Sequence, residues 1–311
     1  MAGFRHVPVL PVEVVEGLAV RPGGLWVDAT VGGGGHAEAI LRASAPDGRL
    51  IGCDLDPEAV AAAGERLREF GERVELHEGS YVRLEEWVEA GSCDGLVADL
   101  GVSSWQLEAA ERGFSFQQDG PLDMRFGRAP GPTAADLVNG MTMRQLEQIF
   151  RELGEEPRAR RIAAAIVEAR SREPIRTTGQ LARLVERVCP RRGERLHPAT
   201  RVFQALRMAV NRELETVGAG LRVFWRLLRP GGRLAVIGFH GAEIRVIKTF
   251  ARELERPYDV VGEVDRPEFR RPRPPRLRRV TRRAIQPSPE EIARNPRSRS
   301  ARLYVYEKLE G

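Results

Sequence analysis

Between Leu25 and Asp56 the chain reads Leu-Trp-Val-Asp-Ala-Thr-Val, then Gly32 to Gly35 and His36, and after a helical stretch a second apolar run closes on Asp54. A strand that enters glycines and then a helix leaves backbone N–H groups and an uncluttered surface facing whatever binds there. Asp54, at the end of the next strand, is placed to accept hydrogen bonds from ribose hydroxyls. Glycines alone make a flexible turn; the acid is what turns the segment into a nucleotide-type crevice. Two ligands fit it. A dinucleotide is suggested by Gly32, Gly34 and Ala37, which read as G-x-G-x-x-A with an acid at the right distance. S-adenosylmethionine is favoured by Asp28, where a carboxylate can meet a methionyl ammonium, by Asp99 at the end of a later strand, and by an expected antiparallel finish to the sheet.

A second polar edge follows Asp94-Gly95-Leu96-Val97-Ala98-Asp99, a buried strand that ends in an acid and the loop Leu100 to Ser104. An exocyclic amine such as that of cytosine is a poor nucleophile because its lone pair is delocalised. An enzyme must hold it and relieve its growing positive charge. Asp99 suits that role as an acceptor, and equally suits capping its turn or touching the cofactor. His240, after the run Leu234 to Phe239, is brought to the same edge and is the second catalytic candidate, although a histidine there can also be a packed surface residue.

The elements that position these residues alternate. Expected strands are Leu25 to Ala29, Arg49 to Asp54, Val74 to His77, Gly95 to Asp99 and Gly232 to Phe239, with helices starting near Gly35, Pro57 and Tyr81. After Asp99 no further strand of the sheet comes for roughly 130 residues, and amphipathic helices follow one another, which marks an insertion. Thr142 with Gln145 and Thr177 with Gln180 match capping boxes. Asn211 to Leu228 reads as a helix returning to the sheet. The tract Arg266 to Pro275 is expected to be a solvated loop, and Ala301 to Tyr306 a last strand paired with Tyr258 to Val264 in an antiparallel hairpin. The fold expected is α/β, a Rossmann-like class I methyltransferase sheet carrying an inserted all-helical domain. Its parts are residues 1–108, a helical substrate-recognition insertion at 109–208, and 209–311.

With 42% hydrophobic and 30% charged residues the composition is that of a soluble globular protein, and no apolar run approaches membrane-spanning length. The first residues lack a signal-peptide pattern, so a cytoplasmic location is expected. Cys53, Cys93 and Cys189 lie far apart, without disulfide or zinc spacing, and read as buried thiols; no metal is expected. The net charge of +5 is mild, yet Arg266 to Arg283 holds nine arginines against Glu268, a local cationic surface for a polyanion. Arg158, Arg160 and Arg161 add to it, with Tyr81, Trp105 and Phe126 as possible stacking faces. Any one arginine reads as solvated; the cluster carries the inference.

Longer motifs add a resemblance. His6 to Leu10, Gly33 to His36, Asp99 to Ser104, Glu111-Arg112-Gly113-Phe114-Ser115-Phe116, Asp119-Gly120-Pro121-Leu122-Asp123-Met124-Arg125, His197 to Arg207 and Asn295 to Ser300 resemble the ribosomal RNA small subunit methyltransferase H family, also called MraW-like. The resemblance covers nearly the whole chain. It implies S-adenosylmethionine-dependent N4-methylation of a cytidine in the decoding region of 16S rRNA, within the small ribosomal subunit; the sequence leaves monomer and homodimer open. By the family pattern, cofactor contacts fall on Gly33, Gly34, Gly35, His36, Asp54, Tyr81, Asp99 and Gln106, to which the residue reading adds Asp28. RNA contacts are expected at Arg125, Arg201, Arg207, Arg278, Arg279, Arg297 and Arg299. Tyr81 stands where the family commonly has Phe. Gly238-Phe239-His240-Gly241-Ala242-Glu243-Ile244-Arg245 departs from the usual Ser-Phe-His-Ser-Leu-Glu-Asp-Arg, which opens a second reading, a donor-binding RNA module with weakened turnover. A DNA amino-methyltransferase fits poorly, since Asp99-Leu100-Gly101-Val102 replaces an Asp/Asn-Pro-Pro-aromatic motif.

Overall fold

The computed structural model describes residues 8–100, 110–126, 131–190, 197–262 and 264–310. They divide between two compact units, Met1–Gly101 with Thr216–Gly311, and Val102–Glu215. In chain order the first unit begins with α1 (Pro11–Leu18), β1 (Leu25–Asp28), α2 (Gly35–Ala43), β2 (Arg49–Asp54), α3 (Pro57–Leu67), β3 (Val74–Glu78) and β4 (Cys93–Asp99). The described helices of the second unit are α4 (Ala134–Gly140), α5 (Met143–Glu152), α6 (Ala159–Arg170), α7 (Thr178–Val188) and α8 (Ala199–Val210). Then come α9 (Glu213–Leu227), β5 (Leu228–Gly238), α10 (Gly241–Glu255), β6 (Tyr258–Val260), β7 (Arg270–Pro272), β8 (Leu277–Arg279), α11 (Pro289–Arg294) and β9 (Arg302–Lys308).

One seven-stranded sheet runs β3-β2-β1-β4-β5-β9-β8. Strands β1 to β5 are parallel, whereas β9 lies antiparallel to both β5 and β8. The strand order reverses between β1 and β4, and ligands of such sheets bind outside the carboxyl ends at that reversal. Leu96, Ala98, Leu234 and Val236 face a core closed by Val217, Leu221 and Phe224 of α9 and Ile247 and Ala251 of α10. Val97, Ala235 and Ile237 face the other side, packed with Val14 and Leu18 of α1, Ile40 and Leu41 of α2, and Ala63 and Leu67 of α3. Burial on both faces is why β1 and β4 carry the apolar runs Leu25–Val27 and Gly95–Ala98 in the sequence.

The helical unit has its own core, with Phe150, Ile162, Ile166, Leu181, Val185 and Leu206 almost wholly buried. Its helix starts are fixed by side chains. Thr133 with Asp136, Thr142 with Gln145 and Thr177 with Gln180 each form a complete capping box.

The antiparallel finish is present, but its partner differs from the expected one. Tyr258–Val260 pairs with Arg270–Pro272 in a separate two-stranded sheet, and β9 instead lies between β5 and β8. Part of the tract expected to be a solvated loop is therefore a strand, although all three of its residues are exposed. The helix expected from Asn211 starts at Glu213, because the chain breaks at Arg212, whose φ is +49°. Helix α1 is an addition to the expected elements: Pro11 sits at its first turn, where a missing N–H costs nothing.

Candidate active site

The glycine loop joins β1 to α2. Gly32 and Gly34 have φ of +48° and +77°, which only glycine adopts without strain, and a Cβ on Gly34 would also press within 3.3 Å of Ala63 Cα. Gly35 has no such φ, yet a Cβ there would meet Pro8 at 2.9 Å. The loop thus brings backbone close to α3 and to the N-terminal segment. Helix α2 starts at Gly35 with no side-chain cap on its first turn, so its leading N–H groups form a donor set of the kind that receives an anionic group. The His36 ring does not join that set. It is buried and its Nε2 donates to Val9 O at 2.7 Å, which anchors the ring of His36, expected among the cofactor ligands, to the N-terminal segment.

The acids that end β1, β2 and β4 meet the same edge. Asp54 is half-buried; its Oδ2 accepts from Gly32 N at 3.0 Å and its Oδ1 from Asp56 N at 3.0 Å, which ties the second strand to the glycine loop. Asp99 is half-buried and its N–H donates to Thr30 Oγ1 at 2.7 Å. Asp28 is the correction. It is 0% exposed, with Thr30 N donating to Oδ1 at 3.1 Å, so its carboxyl lies beneath the crevice and not on its surface. Its Oδ2 is buried with no hydrogen-bond partner among the described residues. Desolvation pushes the Asp28 carboxyl up to about 6, with His36 opposing and the charges of Asp99 and Asp54 adding to the rise. Burial also raises Asp54. Carboxyls ending three neighbouring strands make the edge electronegative, a field that favours a cationic ligand group.

Tyr81 follows β3 at the same edge. Its half-buried ring lies 5.4 Å from Phe224, and Gly220 of α9 permits the approach, since a Cβ there would fall 2.4 Å from the ring. Leu55, next to Asp54, is 40% exposed, an apolar surface at the carboxyl edge that the sequence reading missed. Its only sequence signal was a large apolar residue directly after the strand-ending acid. His240 is half-buried at the N-cap of α10, and buried Glu243 fixes that turn by accepting from Phe239 N at 2.9 Å and His240 N at 3.1 Å. The departures beside it are packed: a Cβ on Gly238 would lie 3.2 Å from Ile247 Cδ1 and 3.5 Å from Ile244 Cγ1. Gln106 and Trp105 lie outside the described residues.

The arginines expected to contact RNA divide. Arg201, Arg297 and Arg299 are exposed. Arg125 grips Asp123 through Nε and Nη2, both at 2.7 Å. Arg278 pairs with Glu307 at 2.6 Å, and Arg279 makes a two-pronged pair with Glu255. Arg207 is a correction: it is 7% exposed and binds Glu213 through two hydrogen bonds of 2.7 and 2.9 Å, so it holds the helical unit together. Phe126 stacks on Phe114 at 5.5 Å and is partly buried in the same core. The three cysteines are buried, as expected.

A parallel sheet reversing between β1 and β4, an antiparallel β9, and acids beside a glycine loop define an α/β Rossmann-like fold with the sheet of a class I methyltransferase. The family model of the MraW methylase family matches residues 3–309, and the chain belongs to that family, as its motifs had indicated. It is 50% identical over 322 residues to a protein of Trichlorobacter lovleyi named ribosomal RNA small subunit methyltransferase H, covering 99% of this chain and 100% of that protein. A protein of the same name from Syntrophotalea carbinolica is 49% identical, with 98% of each covered. Among solved structures, an rRNA methylase from Streptococcus thermophilus is similar with a TM-score of 0.44 and 12% identity, over 96% of this chain and 97% of that one. Among the described residues no helix is long and apolar enough to cross a membrane, and no His, Cys, Asp or Glu group is disposed to hold a metal.

Proposed function

We propose that the protein is an S-adenosylmethionine-dependent rRNA methyltransferase that modifies N4 of a cytidine in the decoding region of 16S rRNA. The observation that carries the donor is the pairing, at the sheet reversal, of an uncapped helix start with the carboxyl edge around Asp99, and the rRNA substrate is supported by relatives named ribosomal RNA small subunit methyltransferase H. A dinucleotide's pyrophosphate would also suit that helix start, but it brings nothing cationic to the acid at Asp99. S-adenosylmethionine instead carries a carboxylate suited to the first turn of α2 and cationic groups suited to the acids. When bound, the donor supplies a methyl group made electrophilic by its sulfonium.

The protein's own residues do the rest. The backbone of Gly33, Gly34, Gly35 and His36 holds the donor's polar end. Each Asp54 oxygen that accepts a backbone N–H keeps lone-pair capacity for ribose hydroxyls. Tyr81 and Leu55 offer apolar surface to the base. Asp99 accepts from the amino group of a cytidine turned out of its stack and relieves the charge that grows there. His240, fixed by Glu243, borders the same edge, and Gln106 belongs to the donor side by the family pattern. The helical unit, with exposed Arg201, serves substrate recognition, and Arg297 and Arg299 contact phosphate; Arg125, held by Asp123, braces that unit.

Incubation with labelled donor and either immature small subunits or naked DNA tests the reading. Label should appear at one cytidine of 16S rRNA, and Asp99→Ala should lower kcat/KM by roughly a thousandfold, a loss much larger than its loss of donor affinity. Label in DNA alone would overturn the substrate. The apolar packing of Gly238 and Ile244 supports a second reading, in which turnover is weakened; donor binding without methylation of any ribosomal substrate would favour it.

A further inference from the structure

The strand register divides the arginine tract in a way the sequence does not. Asp99 on β4 is the partner of Ile237 on β5, Ile237 is the partner of Leu303 on β9, and Leu303 bridges Ile285. Ile285 therefore stands on the same row as Asp99, three strand spacings away, roughly 14 Å at about 4.8 Å per strand. Arg278 and Arg279 belong elsewhere. They pair with Glu307 and Tyr306, whose partners on β5 are Arg233 and Leu234, rows back from the carboxyl edge. Their charges are also matched by Glu307 and Glu255.

Between those rows the chain loops out. Val280 N donates to Val305 O and Ile285 N donates to Leu303 O, so this edge takes five residue steps where β9 takes two. The surplus carries Arg282 and Arg283, both exposed. On the other side of β9, the turn Pro296–Ser300 carries exposed Arg299 and leads directly into Arg302, the partner of Gly238. Among the described residues no acid forms an ion pair with Arg282, Arg283 or Arg299.

We infer that Arg282, Arg283 and Arg299 form a phosphate-binding rim on the catalytic edge of the sheet, and that Arg278 and Arg279, though in the same tract, do not bind the nucleic acid. Unmatched guanidinium groups beside a base-modifying site would track the backbone that flanks the target nucleotide, which positions without reading sequence. A single RNA strand is the occupant this arrangement suits, because three exposed guanidinium groups match a run of phosphates, while a lone exposed side chain, Val280, is too little apolar surface for an acidic protein to pack on. The inference rests on the proposed rRNA substrate.

The test titrates full-length protein with fluorescently labelled 16S rRNA spanning the decoding region, between about 50 and 200 mM salt. The variant R282A/R283A/R299A should bind at least about tenfold more weakly at the upper salt, and its salt slope should fall by about 0.7 to 0.9 for each phosphate no longer neutralised. R278A/R279A should stay within about twofold of the unaltered protein. Affinity for S-adenosylhomocysteine, measured by calorimetry, should be unchanged in both, which reports an intact fold. R282K/R283K/R299K should keep most of the slope, since a point charge suffices for a phosphate. An unaltered slope in the triple alanine variant, or an equal loss in R278A/R279A, overturns the rim while leaving rRNA methylation by the unaltered protein standing. Unaltered protein that neither binds nor methylates 16S rRNA overturns both.

Discussion

The two units treat their polar residues in opposite ways. At the donor edge, Asp28 keeps a buried oxygen without a partner, α2 starts uncapped, and the charges of Asp99 and Asp54 add to what burial costs the ionised Asp28. In the helical unit the polar residues of the long motifs are taken up by structure. Asp119 accepts from Gly179 N at the start of α7, Asp123 clasps Arg125, and Asn211 accepts from Phe126 N and donates to Met124 O. A motif is thus not evidence of chemistry by its length. Hydrogen-bond capacity left unused in a buried place marks function; capacity fully used marks architecture.

The largest effect is expected at Arg207. Arg207 and Glu213 are both nearly buried and bonded through two contacts, so Arg207→Ala leaves a buried carboxylate without its counterion. A loss of about 3 to 5 kcal/mol in unfolding free energy is expected by denaturant titration. Replacing both partners by apolar residues of similar volume should recover most of it. A variant that instead keeps its stability and loses only RNA affinity would return Arg207 to the RNA-binding set.

That outcome bears on what the sequence could reveal. Strands β1, β2 and β4 were legible because burial on both faces leaves a continuous apolar run, and Thr142 and Thr177 because a capping box is local. Arg207 was not, since an arginine inside a motif looks the same whether it faces water or an acid six residues on. Asp28 was legible as an acid at a strand end, but its depth comes from the place of β1 between β2 and β4, which is tertiary. The pairing of β6 with β7 was hidden by strands of three residues in a Pro and Arg tract, where no hydrophobic period forms. Register across β5, β9 and the Ile285 bridge is wholly tertiary, so the division of the arginines could not be read from their spacing.

The donor side gives a smaller effect. Asp28 rises from 3.8 to about 6 in the folded protein, so the native state binds its proton more tightly than the unfolded chain does. Stability from this group is greatest below pH 4, declines as pH climbs through 6, and above that the ionised carboxyl costs the native state about 3 kcal/mol. Asp28→Asn removes the titration. The difference in unfolding free energy between the variant and the unaltered protein should shift in the variant's favour by about that amount from pH 4 to pH 8. A flat difference would mean that Asp28 is solvated, and the donor edge would lose its distinction from the helical unit.

The smallest effect lies in the helical unit, where Thr177 accepts from Gln180 N at 3.2 Å and Gln180 answers by accepting from Thr177 N at 3.1 Å. Gln180 also accepts from Arg176 N at 2.7 Å, and the bridge Pro121 to Thr177 ties this helix start to the Asp119–Arg125 motif. Thr177→Ala should cost about 1 kcal/mol, the ordinary value of an N-cap, and Thr177→Ser should restore it. Kinetic constants should not move, because the threonine hydroxyl serves Gln180 N and the Asp119 carboxylate, both part of the helical unit's own framework. A drop in kcat/KM at unchanged stability would show that the motif it braces works on the substrate directly, and the division between structural and chemical polar residues would then run through the helical unit as well.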